Sequence, residues 1–248
     1  MSLLQQITDR YNRNARLLPA ALMVLPVFVL AVTAIPVAVT VWTKVAGLAA
    51  FCLPFAASQA VRDRGLRVEP QLFRAWGGRP SENMLRWRAA STKSAVARRH
   101  QLVATHLGIA LPDETTEAAD PAEADELYAT ATAALRERTR DRSRFPLVFE
   151  ENIAYGFRRN TYACRLPAIL ICGLAALVMM VLAWLSLVPL GWEQQTGLIS
   201  FDALAAVGWW RLCTQAAVRR AAEKYAGQLF LSLETLGTEP QQTQLGPT

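Results

Sequence analysis

Residues 17–60 read LLPAALMVLPVFVLAVTAIPVAVTVWTKVAGLAAFCLPFAASQA and hold one charged residue, Lys44. A soluble protein distributes its apolar residues at helix or strand period; here they form an unbroken block. One helical crossing of a bilayer takes roughly 20 residues. The block has 44, too many for one crossing and enough for two short ones. Pro36 is a natural break, because it removes a backbone donor and clashes with the preceding turn. Trp42 and Lys44 suit a membrane–water interface beside that turn. The expected helices run over about 17–35 and 41–61.

The flanking charges decide between one crossing and two. Arg10, Arg13 and Arg16 precede the block, and Arg62, Arg64 and Arg67 follow it. A hairpin keeps both basic clusters in the cytoplasm, as the positive-inside rule prefers. The block at 163–218 repeats the pattern. Arg158 and Arg159 precede it, an apolar run covers 164–187, and Pro189, Gly191, Trp192 and Glu193 make an outer turn. A weaker segment at about 198–218 returns the chain to Arg219, Arg220 and Lys224. Asp202 and Arg211 interrupt that segment. Ionisable residues inside a membrane are costly and mark function by default. Asp202 also suits an N-terminal cap at the outer interface.

The expected architecture is an all-α membrane protein, two transmembrane helical hairpins flanking a small helical cytoplasmic domain. Its parts are a cytoplasmic N-terminus (1–16), hairpin 1 (17–61), the cytoplasmic domain (62–162), hairpin 2 (163–218), a cytoplasmic helix extension (219–237) and a disordered tail (238–248). The helix of the last hairpin is expected to continue past Val218 without a break, ending near Gly237. Both termini face the cytoplasm.

The net charge of +6 does not require nucleic acid. Residues 61–162 carry 17 Lys and Arg against 14 Asp and Glu, and the remaining excess flanks the apolar blocks, where it orients the chain. Within 62–162, Ser81 is a candidate N-cap for one helix over 82–107, ended by Gly108. Asp120 and Pro121 open a second helix, ending near Arg140, and a third runs over 147–162. No strand alternation appears.

Candidate sites are few. The acidic run Asp113, Glu114, Glu117, Asp120, Glu123, Asp125 and Glu126 lacks the spacing of a calcium loop and reads as a solvated loop and helix start. His100 and His106 are six apart, the wrong spacing for a shared metal on a helix. Arg86, Trp87, Arg88, Lys93, Arg98 and Arg99 give the 82–107 helix a basic face. Cys52, Cys164, Cys172 and Cys213 lie in or beside apolar segments without CxxC spacing, as packing residues do. No nucleotide-loop or nucleophile–base pattern occurs, so no catalytic, metal or cofactor residue is assigned.

Glu150, Glu151, Tyr155, Arg158 and Arg159 form the densest polar constellation. Helical spacing lets them act as an ion-pair lattice or meet an anionic headgroup or ligand. Lys44, Asp202 and Arg211 are the intramembrane polar candidates.

The runs LFRAWGGRPSENMLRWR (72–88), FPLVFEENIAYGFRRN (145–160) and VRRAAEKYAGQLFLSLETL (218–236) resemble segments of bacterial inner-membrane proteins with four such crossings and no assigned activity. The resemblance implies a bacterial inner-membrane setting and transfers no catalytic residue. The leading expectation is a non-enzymatic membrane protein whose cytoplasmic domain binds a partner or signal and couples it to the membrane bundle. Alternatives are an oligomeric pore, transporter or membrane-disrupting effector, and a lipid-acting enzyme using Glu150, Glu151 and Tyr155. Expected partners are membrane lipids and a protein partner or second copy, rather than nucleic acid.

Overall fold

A computed structural model describes residues 9–34 and 40–236, the side chains of 34–51 excepted. Every regular element among the described residues is a helix. Contacts divide the chain into two units. One comprises Met1–Leu72 and Ile153–Arg220, the other Phe73–Asn152 and Ala221–Thr248.

The first unit begins with a short helix, Arg10–Asn12, and a π-turn, Arg13–Leu17, which leads into the Leu18–Ala34 helix. The Thr40–Ala75 helix runs well past the expected end at 61 and contains Pro54 and Pro70. The expected third helix and third crossing are one element, Pro146–Trp184. The last helix of this unit is Trp192–Leu212. Two helices, Arg10–Thr33 and Pro146–Trp184, are long and apolar enough to cross a membrane, and only 22% of each apolar stretch is buried. A helix at the centre of a soluble core would be mostly buried.

Small side chains mark the helix crossings. Ala20, Val61 and Cys164 are wholly buried together, with Met23 against them. Ala168 and Cys172 meet Trp209 in a second cluster. Short side chains let helix backbones approach closely, which favours dispersion contacts where no hydrophobic force drives association. Both buried cysteines thus serve as packing residues.

Two expectations about helix ends are corrected here. The final helix is not continuous through 198–237: it breaks at Cys213–Thr214, and a new helix runs from Gln215 to Leu236. Thr214 caps the restart, its hydroxyl accepting from the Ala217 amide at 3.2 Å. Asp202 is not an N-terminal cap, because its helix starts ten residues earlier at Trp192. The Pro36 break, the Gly237 end and the 238–248 tail lie outside the described residues.

The second unit packs the Lys93–Leu107 and Pro121–Arg138 helices with residues of Gln215–Leu236. Val103, Tyr128, Leu135, Leu229 and Leu233 are at most 0% exposed, and each such side chain contributes about 1.5–3 kcal/mol of burial. Gly108 ends the first helix in the left-handed region at φ 69°. Asp120 caps the second, accepting from the Ala122 and Glu123 amides, with Pro121 at the first helical position.

The expected 82–107 helix is broken. A four-residue helix, Pro80–Asn83, is followed by irregular backbone up to Thr92. The cause is visible in the hydrogen bonds. The Trp87 and Arg88 amides donate to the Glu117 carboxylate at 2.7 and 3.2 Å instead of to helix carbonyls.

Candidate functional site

Two of the polar residues that sequence reading singled out before the second hydrophobic block, Tyr155 and Arg159, are drawn into a buried bracket within the first unit. Its centre is Glu69 on the Thr40–Ala75 helix. Tyr155 donates its hydroxyl to Glu69 Oε1 at 2.6 Å, and Arg159 Nη1 donates to the same oxygen at 3.1 Å. Both donors are at i and i+4 of one helix, so they share a face. Arg159 is 7% exposed, so Glu69 is the charge that makes its burial tolerable. Burial first, then the adjoining Glu69 carboxylate, push the Tyr155 hydroxyl well above the usual phenol range. Tyr155 therefore stays a donor at any physiological pH.

Asn160 extends the bracket to the N-terminal segment. Its Nδ2 donates to the Ala15 carbonyl at 2.6 Å, inside the Arg13–Leu17 π-turn. A side chain entering the backbone ladder is a recognised cause of such departures from α-geometry. Two glycines make the approach possible. A Cβ on Gly65 would collide with Asn160 Oδ1, and one on Gly156 would meet Tyr11 Oη and Ala15 Cβ at 3.1 Å. The bracket holds three helical segments by hydrogen bonds and one ion pair. Arg159 divides its donors, Nη1 going to Glu69 and Nε and Nη2 to Asn160 Oδ1 at 3.4 and 3.3 Å.

The remaining members of the constellation are placed differently. Arg158 points elsewhere and is exposed; its guanidinium lies 6.0 Å from the Phe157 ring and pairs with no carboxylate among the described residues. Glu150 and Glu151 are half-buried and belong to the second unit. Arg211 lies in the last turn of Trp192–Leu212 rather than mid-segment, where a cation complements the carbonyl end of the helix. Asp202 is buried. Lys44 lies in the Thr40–Ala75 helix, with its side chain outside the described residues.

The second unit holds a second polar cluster, and here the expectation of a solvated acidic run holds for the exposed Asp113, Glu114, Asp120, Glu123 and Glu126 and is corrected for Glu117, which is buried, and Asp125, which is half-buried. Glu117 is 2% exposed. It accepts from the Trp87 and Arg88 amides, from Arg88 Nη1 at 3.0 Å and from Tyr128 Oη at 2.7 Å. Burial pushes its carboxyl up, but these four donors outweigh burial and hold it below the usual range. Asp125 takes Arg86 in a two-pronged pair at 2.8 and 2.9 Å and Arg88 at 2.7 Å. Arg86 Nη1 also reaches the Gly77 carbonyl and Asn83 Oδ1. Arg86, buried, and Arg88, exposed, are thus fasteners of this cluster rather than part of a basic helix face. His100 joins them, its Nε2 at 2.7 Å from the Leu85 carbonyl and its ring tilted against Trp87 and Tyr128.

Glu69 was missed in the sequence because it follows the apolar block in a run of mixed charge. Its one signal is Gly65 a turn earlier, a small residue on the same helix face. Glu117 had none, since its neighbours in PDETTEAAD are polar whichever way it points. No family model, curated protein or solved structure matches this chain.

Proposed function

We propose that this chain is a non-enzymatic integral membrane protein of a bacterial inner membrane, crossing four times as two hairpins with both termini cytoplasmic. In this reading the Phe73–Asn152 and Ala221–Thr248 unit receives a protein partner or signal, and the helices of the first unit carry its effect into the bilayer. One observation carries the membrane assignment. The Pro146–Trp184 helix leaves Leu166, Leu170, Leu174 and Leu177 between 52% and 73% exposed, in a run of i+4 and i+3 steps. Such a stripe is expelled from water and matched by acyl chains. Leu22, Leu25 and Val32 of the Leu18–Ala34 helix are exposed in the same way. The coupling role is supported by the bracket. Tyr155 and Arg159 lie on the same uninterrupted helix as the apolar stripe, so a load on one is borne by the other.

Single cysteines in a variant lacking the four native ones test the topology. Gly191→Cys should react with an impermeant maleimide in intact cells, and Ala122→Cys only after lysis. The reverse pattern, or a chain that stays monomeric in buffer without detergent, overturns the membrane reading. Photo-crosslinking from the second unit should yield a heterologous protein adduct; adducts to lipid and to itself alone would remove the coupling role.

A further inference from the structure

The first unit contains a groove of ≈ 340 Å³ whose walls are almost entirely apolar. Leu22, Leu25 and Pro26 line it from one helix, Phe201, Ala205 and Trp209 from another. Its polar groups gather at one end, where Arg158, Thr161 and Cys213 meet. Phe201 and Cys213 bound the groove along the Trp192–Leu212 helix and its end. Twelve residues separate them, about 18 Å at 1.5 Å per residue.

We propose that this groove holds one acyl chain of an anionic phospholipid, with the phosphate at Arg158. The claim rests on the membrane reading above and deepens it. Three observations converge. The groove is amphipathic in the manner of a lipid, apolar along its length and cationic at one end. No carboxylate lines it, and Arg158 has no ion-pair partner among the described residues. Arg165 lies seven residues on, along the same stripe of the helix and off the groove's lining. The Arg165 guanidinium sits 4.1 Å from the Trp210 ring centroid, yet its Nε is buried without a hydrogen-bond acceptor. The cation Arg158 at one end, with no anion on the lining, leaves a place for a phosphate diester, which guanidinium groups recognise well.

The direction of the groove also fits. Arg158 precedes the span that starts near 163 and so falls at the cytoplasmic headgroup level, while Phe201 lies deeper. A lipid of the inner leaflet enters with that polarity. Gly208 lies on the wall, and a Cβ there meets nothing within 4 Å. The space beside it is open, so a larger side chain fills the groove without disturbing the helix packing.

The full chain, purified in mixed micelles of equal parts phosphatidylglycerol and phosphatidylcholine, should retain phosphatidylglycerol preferentially in native mass spectrometry. Gly208→Leu should abolish that retention. Gly197→Leu, equally unencumbered but off the groove, should leave it intact. Arg158→Ala should lower it about fivefold, the effect of one interfacial cation. Equal retention of the two lipids, or full retention by Gly208→Leu, overturns the proposal. A change of oligomeric state in Gly208→Leu with lipid retention unchanged would assign the groove to a second copy and overturn it as well. A detergent-requiring chain that keeps no lipid defeats the groove alone, whereas a chain soluble without detergent defeats the membrane reading first.

Discussion

Tyr155 Oη donates to Glu69 Oε1 at 2.6 Å across 86 positions of sequence, and Arg159 shares that oxygen. Removing the acceptor takes the one carboxylate away from the buried Arg159 guanidinium and the Tyr155 hydroxyl. Glu69→Ala is expected to destabilise the chain by about 3 kcal/mol, near the cost of breaking a buried ion pair. Tyr155→Phe deletes one donor and leaves Glu69 with Arg159, so about 1 kcal/mol is expected. Thermal unfolding of the detergent-solubilised chain, followed by circular dichroism, measures both. Equal effects would show that Tyr155 and not Arg159 is the group that Glu69 serves.

Gly65 and Gly227 should respond oppositely to alanine. Both lie inside helices, where glycine costs roughly 0.5–1 kcal/mol relative to alanine. A Cβ at Gly227 meets nothing within 4 Å, so Gly227→Ala should stabilise by about that amount. At Gly65 the Cβ collides with Asn160 Oδ1, and overpacking of this kind costs about 1–3 kcal/mol. Asn160→Ala should relieve the Gly65→Ala defect, giving a coupling in the double-mutant cycle of more than about 0.5 kcal/mol. Additive effects would mean that the two residues do not touch.

The Glu117 cluster predicts a local defect. Glu117→Ala strands two amides and Tyr128 Oη, leaves Arg88 with Asp125 alone, and is expected to cost about 3 kcal/mol. Hydrogen exchange should then accelerate across 84–92 and 121–135, the segments it joins. Unchanged exchange there would rule out Glu117 as the fastener of the irregular 84–92 backbone.

Stability should fall in two stages on acidification. His100 is held below its usual value by burial, so the folded chain favours the neutral ring. Its contribution is complete above about 6.5, the unfolded value, and declines as pH falls from there toward the folded value. Glu117 is held low as well, and as an acid it contributes above about 4.3 and loses that contribution as pH falls through its folded value. Melting temperatures between about pH 2 and 8 should show the upper stage disappear in His100→Gln, with the lower stage retained. A flat profile above pH 5 in the unaltered chain would contradict the burial of His100.

Residues 17–60 and 163–187 announced long apolar helices because each holds a single charge, Lys44 in one and Arg165 in the other. Asp120, Pro121 and Gly108 announced helix ends because capping chemistry is local. These features need only neighbours along the chain, and their placement in the folded chain agrees with that reading. The 84–92 break was not legible, because it comes from a carboxylate about 30 positions away competing for two amides. The restart at Gln215 was equally hidden, since Cys213 and Thr214 do not forbid a helix.

The amino-acid order alone predicted an all-helical chain with four crossings; among the described residues every element is helical, and two helices are long and apolar enough to cross a membrane. Tertiary structure decided which charges are buried. A glutamate reads the same in one dimension whether water or an arginine and a tyrosine surround it, and only tertiary packing brought Arg159 to Glu69 and Arg88 to Glu117. Desolvation and hydrogen bonding are properties of that three-dimensional neighbourhood, so the polar bracket and the buried acid could be found nowhere else.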